Sequence, residues 1–278
     1  MRDVRDSEVE AAVEPRVLVD ACAQALAALG RGEASQAAKQ VLPTGHGGFF
    51  LSLSAVVPAL GWAVAKWASY TPTAPADARS TSTILASPAD GGAPVAVFRG
   101  MAPTRLRTAA AAVAVVEAIG RPLTGETVGL VGFGPTNAAV AGMLADLHGI
   151  RSWRVLARSA TTLARAHADL PGDVRAVADP AVLGDCALVV SATGATSPVA
   201  DIASLRDDAA VLCLDGRAAW RVRDAVVLDD RAQPDRPSQV AQMLAGATPA
   251  LAGRVLIDQA GSAVTDAALA AVVLGSRA

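Results

Sequence analysis

Residues 126–149 read ETVGLVGFGPTNAAVAGMLADLHG. An apolar, strand-like run from Thr127 to Val131 enters the glycine-rich turn Gly132-Phe133-Gly134, which opens a helical stretch that stops at Gly149. In this strand–turn–helix context the G-x-G turn is the fingerprint of a dinucleotide site. Gly132 permits the tight turn, Gly134 lets the backbone approach a pyrophosphate, and the helix N-terminus meets its charge. Gly132, Gly134, Pro135, Thr136 and Asn137 are the candidate contacts, with Asn137 standing where the motif carries its third glycine.

The same rhythm continues downstream. SWRVLAR (152–158) reads as a second strand and SATTLARAHADL (159–170) as a second helix. CALVVSATG (186–194), AAVLCLDG (209–216) and DAVVLDD (224–230) read as further strands, each with a turn behind it. Strands alternating with helices imply a parallel sheet with helical crossovers, an α/β doubly wound Rossmann arrangement. Upstream the pattern differs. PRVLVDACAQALAAL (15–29) reads as a surface helix, and residues 45–72 hold strand-like apolar runs with several of the few aromatics. TPTAPADARSTST (71–83) reads as a loop, residues 83–100 as a hairpin about PADGG, and 103–119 as an Ala-rich helix connecting two domains. The tail VLIDQAGSAVTDAALAAVVLGS (255–276) reads as a short strand and a helix folding back on the first domain. The expected boundaries are 1–105 with 255–278 for the strand-rich domain and 106–254 for the dinucleotide-binding domain.

Composition narrows the function classes. Of 278 residues, 24 are basic and 26 acidic, a balance that provides no field for a phosphate backbone or an anionic membrane, so nucleic acid and membrane are excluded as expected partners. The apolar stretches are interrupted well short of a spanning helix and the N-terminus is charged, which reads as a soluble cytoplasmic protein. Cys22, Cys186 and Cys213 are scattered through apolar runs, so neither a disulfide nor a metal site is expected. Only two of the 24 basic residues are lysines, Lys39 and Lys66, and a lysine kept in so Arg-biased a chain is a candidate for a specific task.

The second strand ends at Arg158-Ser159, where an NAD-selective site would carry an acidic residue against the ribose 2′-hydroxyl. Arg158, Ser159 and Thr161 instead offer a guanidinium and hydroxyls to a 2′-phosphate. NADP(H) is therefore the favoured cofactor and NAD(H) the alternative. Ser191, Ala192 and Thr193 lie at another strand's end, on the same carboxyl edge, where the ribose and nicotinamide would pass.

The order of these motifs resembles the ornithine cyclodeaminase/mu-crystallin family. The resemblance spans about residues 15–275 and is carried by AKWASYTP (65–72), RLRTAAAA (105–112), GFGPTN, ARS, SATGATSP (191–198) and LIDQAGSAVTDAAL (256–269). It implies a Rossmann domain joined to a strand-rich domain that binds substrate and forms homodimers. The implied activities range over cyclodeamination of ornithine or lysine, reduction of cyclic ketimines, alanine dehydrogenation and an opine-like dehydrogenase step.

By that resemblance Lys66 and Arg107 bind a substrate α-carboxylate, with Lys39 near a third basic position of the family. Two cations near a nicotinamide would orient an amino or imino acid with its α-carbon toward C4. Asp215 falls at the family's catalytic aspartate and would exchange a proton with the substrate nitrogen, although the following Gly216-Arg217-Ala218-Ala219-Trp220 departs from the family pattern and leaves a plain turn aspartate as the alternative. In GGFFLSLSAVVP (47–58) the family's acidic residue is missing, and only apolar residues, Ser52 and Ser54 stand there. That departure argues against a diamino acid and for a substrate with an apolar or hydroxyl-bearing tail. His46 is a candidate substrate contact or a loop histidine. The expected function is an NAD(P)H-dependent oxidoreductase acting on the C–N bond of a small α-amino or α-imino acid. A cyclodeaminase-type lyase and a non-catalytic dinucleotide-binding homologue are the alternatives.

Overall fold

The computed structural model describes residues 1–75, 78–230, 238–247, 251–259 and 261–276. Residues 76–77 of the expected loop and 260 of the tail motif lie outside the described residues. In chain order the first elements are β1 (Arg2–Arg5), α1 (Asp6–Ala12), α2 (Pro15–Gly30), β2 (Ser35–Gln36), β3 (Gln40–Pro43), β4 (Phe49–Val57), β5 (Trp62–Tyr70), β6 (Ser80–Pro88) and β7 (Ala96–Arg99). Then come α3 (Ala102–Ile119), β8 (Thr127–Val131), α4 (Pro135–His148), β9 (Ser152–Leu156), α5 (Ala160–Asp169), β10 (Asp173–Val177), β11 (Leu188–Ser191) and β12 (Ala200–Asp201). The chain ends with β13 (Ala210–Cys213), β14 (Trp220–Arg221), β15 (Val226–Asp229), α6 (Gln239–Leu244), β16 (Val255–Asp258) and α7 (Val264–Leu274).

The chain divides into two compact units. The first comprises residues 1–107, 232–247 and 262–278, and the second 108–231 and 248–261. Two assignments differ from the expected boundaries. β16 runs parallel between β13 and β15 and so belongs to the second unit, while α6 packs on α2 and belongs to the first.

In the first unit the sheet order is β1-β7-β6-β5-β4-β2, with β3 also on β4, and antiparallel except for the β1–β7 pair. β5 alternates buried Trp62, Val64, Lys66 and Ala68 with exposed Ala65 and Trp67, the period-2 pattern of a strand with one covered face. α7 covers that face together with α2, and every residue from Val264 to Ala271 is buried. A helix apolar on all sides is an interior helix, as the Ala, Val and Leu of this segment permit. Full burial of side chains such as Leu18, Leu26 and Ile84 contributes ~1.5–3 kcal/mol each.

The second unit is a seven-stranded, wholly parallel sheet ordered β10-β9-β8-β11-β13-β16-β15. Chain order reverses between β8 and β11, which makes the carboxyl ends of these strands the switch point where α/β sheets bind ligands. β8, β11, β13 and β16 are almost entirely buried runs of Val, Leu, Ile, Ala and Cys, as strands covered on both faces must be.

Candidate active site

Lys66 and Arg107 come together in the first unit, around a residue that sequence reasoning did not single out. Lys66 Nζ lies 3.3 Å from Asp266 Oδ1 and Arg107 Nε 3.0 Å from the same oxygen, the latter an ion-pair distance without hydrogen-bond alignment. Arg107 Nη1 also donates to Thr265 Oγ1 at 3.4 Å. Lys66 is 3% exposed, Arg107 5% and Asp266 1%, and Asp266 Oδ2 has no hydrogen-bond partner. Burial first, then the charge of Arg107, pulls the Lys66 amine down to about 7; Asp266 opposes both, and Lys39 adds to the depression. Lys39 itself is exposed in the link between β2 and β3, and His46 is exposed in the turn between β3 and β4.

The helices that deliver Arg107 and Asp266 are capped from distant segments. Asp6 accepts from the backbone N–H groups of Met101 (3.2 Å) and Ala102 (3.0 Å), satisfying the start of α3. Gly100, at φ +107°, leaves room for that carboxylate, since a Cβ there would stand 2.3 Å from Asp6 Oδ1. α7 starts after Ala263, which has no capping side chain, and Gln36 Oε1 supplies the acceptor for Ser262 Oγ, Ala263 N–H and Val264 N–H. Asp266 then lies in the first turn of α7, where the helix dipole favours a carboxylate.

Lys66 pairs across the sheet with Leu53 on β4 and Ile84 on β6, so all three side chains share one face. Its cross-strand surroundings are apolar, as the missing acidic residue implies. Ser52 and Ser54 occupy the opposite face, where Ser52 donates to Gln40 Oε1 at 3.3 Å and both line a hollow of about 400 Å³ with Trp67 and Thr83. Strand parity turns these serines to the face opposite the Lys66 side chain, and the hollow they line also takes in Lys66.

In the second unit the glycine turn has the required form. Gly132 has φ +79°, a Cβ on it would stand 2.7 Å from Ala192 O, and its N–H donates to Leu156 O at 2.8 Å. Gly134 N-caps α4 with open space where a Cβ would be, and Pro135 fills the first helical position. The bare backbone at Gly134 and the start of α4, which includes Thr136, fit a dinucleotide's pyrophosphate. Asn137 is fully buried beneath the turn, its Nδ2 within reach of the carbonyls of Val131 (3.1 Å), Gly132 (2.7 Å) and Val190 (3.3 Å). It braces β8 against β11 and does not present its side chain to a ligand. Arg165, also missed from sequence, donates to Phe133 O and lies over the Phe133 ring.

Arg158 and Ser159 are exposed beyond β9, and Ser159 Oγ caps α5 by accepting from Thr162 N–H. Ser191 is buried with no partner for its hydroxyl, while Ala192 and Thr193 are partly exposed on the same edge. Asp215 stands behind β13, and its Oδ2 accepts from the backbone N–H of Thr193 (2.6 Å) and of Gly194. Burial raises the Asp215 carboxyl above the ordinary aspartate range, against the two N–H donors that hold it down. Among the described residues no helix is long and apolar enough to cross a membrane, and no three His, Cys, Asp or Glu side chains group as a metal site would.

Three solved structures share this architecture over nearly the whole chain. A probable ornithine cyclodeaminase from Bordetella pertussis Tohama I is 24% identical with a TM-score of 0.83, and the match covers 99% of this chain and 96% of that one. The Δ1-pyrroline-2-carboxylate reductase of Thermococcus litoralis, in complex with NADH and L-proline, is 17% identical with a TM-score of 0.85, covering 98% and 96%. An archaeal alanine dehydrogenase dimer with bound NAD is 17% identical with a TM-score of 0.81, covering 98% and 94%. At these identities the likeness establishes the fold. No curated protein matches the sequence significantly. The model of the ornithine cyclodeaminase/mu-crystallin family matches residues 1–213, ending just before Asp215 and the run Gly216–Trp220 that departs from the family pattern. With the motifs from Lys66 to the dinucleotide turn inside that match and the fold shared from end to end, the chain belongs to the ornithine cyclodeaminase/mu-crystallin family.

Proposed function

We propose that the chain is an NAD(P)H-dependent oxidoreductase acting on the carbon–nitrogen bond of a small α-amino or α-imino acid. The observation that carries this reading is the pair of buried cations, Lys66 and Arg107, on a single carboxylate oxygen. Burying two cations against one anion is costly for stability, and the excess positive charge suits a second carboxylate, that of a substrate. Gly132, Gly134 and the start of α4 would hold the dinucleotide, with Ala192 and Thr193 along the same edge and Arg158 and Ser159 at the ribose that bears the 2′-phosphate of NADP(H). When bound, the dinucleotide supplies or accepts the hydride. Lys66 and Arg107 then fix the substrate by its carboxylate, Lys39 adds positive charge, and Asp215 holds or accepts the proton of the substrate nitrogen.

A cyclodeaminase-type lyase needs an acceptor for a distal amine, and the cross-strand neighbours of Lys66, Leu53 and Ile84, offer none. The protein works as a homodimer in this reading. Phe50 and Trp67 stack at 5.3 Å on the outer sheet face while remaining 39% and 49% exposed, a patch suited to a second copy, and a monomer by sedimentation at micromolar concentration would refute that part.

The test of the main reading is Arg107→Ala. It should abolish turnover and binding of substrate carboxylates while leaving NADPH affinity intact, since Arg107 belongs to the substrate side. Unchanged turnover would refute the assignment.

A further inference from the structure

Asp266 is the carboxylate in contact with Lys66, its Oδ1 3.3 Å from the amine. The groups that face the cluster are Arg107 from α3, Lys39 from the link before β3, and Cys22 from α2, whose thiol burial pushes up to about 12 and so keeps neutral. Burial, Arg107 and Lys39 all oppose the charge on Lys66. Asp266 sits on an interior helix whose first turn is fixed by Gln36, and one oxygen of its carboxylate touches both cations.

We propose that Asp266 is a positioning residue for substrate binding: its buried carboxylate fixes Lys66 and Arg107 against each other, so that the pair receives a substrate carboxylate. The inference rests on the reading of Lys66 and Arg107 as the carboxylate clamp. It has a consequence that a purely structural salt bridge lacks. A ligand carboxylate brings a second anion to Lys66 and strengthens its hold on a proton, so binding takes up protons from neutral pH upward and weakens as Lys66 is titrated.

The experiment is calorimetric titration of the full chain, with NADPH present, by pyrrole-2-carboxylate, a planar monoanion, from about pH 6 to about pH 9 in buffers of different ionisation enthalpy. The wild type should bind with proton uptake, and its affinity should fall about ten-fold or more across the range. Asp266→Asn should move that fall at least about one pH unit lower with NADPH affinity unchanged, and Lys66→Met should remove the pH dependence. An unmoved profile in Asp266→Asn, with Arg107→Ala still abolishing binding, overturns the role of Asp266 while the clamp stands. No binding by the wild type, or undiminished binding by Arg107→Ala, overturns the clamp and this inference with it. If Asp266→Asn does not fold, Asp266→Glu, which keeps the charge but displaces it, takes its place, and an affinity and pH profile identical to the wild type overturn the proposal.

Discussion

Gln36 Oε1 accepts from Ser262 Oγ at 2.6 Å and from the adjoining Ala263 N–H at the same distance, so a residue of an edge strand caps a helix that begins more than two hundred residues later. The cap determines where Asp266 stands. Gln36→Ala should cost about 0.5–2 kcal/mol of stability, the range for loss of a helix cap. It should also weaken carboxylate binding more than dinucleotide binding. Urea unfolding gives the first quantity and ligand titration the second; equal losses of both affinities would contradict the cap's local role.

The two glycines of the dinucleotide turn should separate stability from binding. Gly132→Ala places a Cβ against Ala192 O at φ +79° and should destabilise the protein by ~1–3 kcal/mol. Gly134→Ala meets no neighbouring atom, so stability should change by less than about 1 kcal/mol while NADPH affinity drops. A normal affinity in Gly134→Ala would place the pyrophosphate elsewhere.

Cofactor choice should depend on Arg158. NADPH should bind more tightly than NADH, and Arg158→Ala should erase most of the difference, a loss of about 1.5–3 kcal/mol for one charge-assisted phosphate contact. Equal affinities in the wild type would end this assignment.

Stability should rise with pH across the neutral range because of Lys66. Its proton affinity is pulled from 10.5 to about 7 in the folded chain, so above about pH 7 the unfolded state holds a proton the folded state has released. Below that pH both states are charged and the penalty is complete. Cys22 and Cys186, raised from 9.0 to about 12, act with the opposite sign above about pH 9, where unfolded thiols ionise first. Urea midpoints should therefore increase from about pH 7 to about pH 9, and Lys66→Met should flatten the rise. An equal rise in the variant would assign it to another group.

The parallel sheet was legible because its central strands are apolar runs punctuated by glycine, and the hairpin because PADGG breaks two strand-like runs. β10 leaves no local signal, since DVRAV at the sheet's edge is half-exposed and lacks an apolar run. VLID reads as a strand, but its place between β13 and β15 is a long-range pairing that no local pattern encodes. Lys66 and Arg107 were found through the family resemblance. Asp266 carried a signal that went unused: an acidic residue inside the helix VTDAALAAVVL, which is otherwise nearly all apolar, needs a buried partner. The facing of Ser52 and Ser54 depended on the β4–β5 register, which appears only once the strands are paired.

The most direct test of the central claim is an assay of the wild type with NADPH against a panel of cyclic imino acids and of 2-oxo acids with amines. The account predicts stoichiometric NADPH oxidation with at least one member. Release of ammonia from ornithine or lysine without net change at the nicotinamide absorbance band would contradict it in favour of a lyase, and NADPH binding without turnover in either assay would contradict it in favour of a non-catalytic homologue.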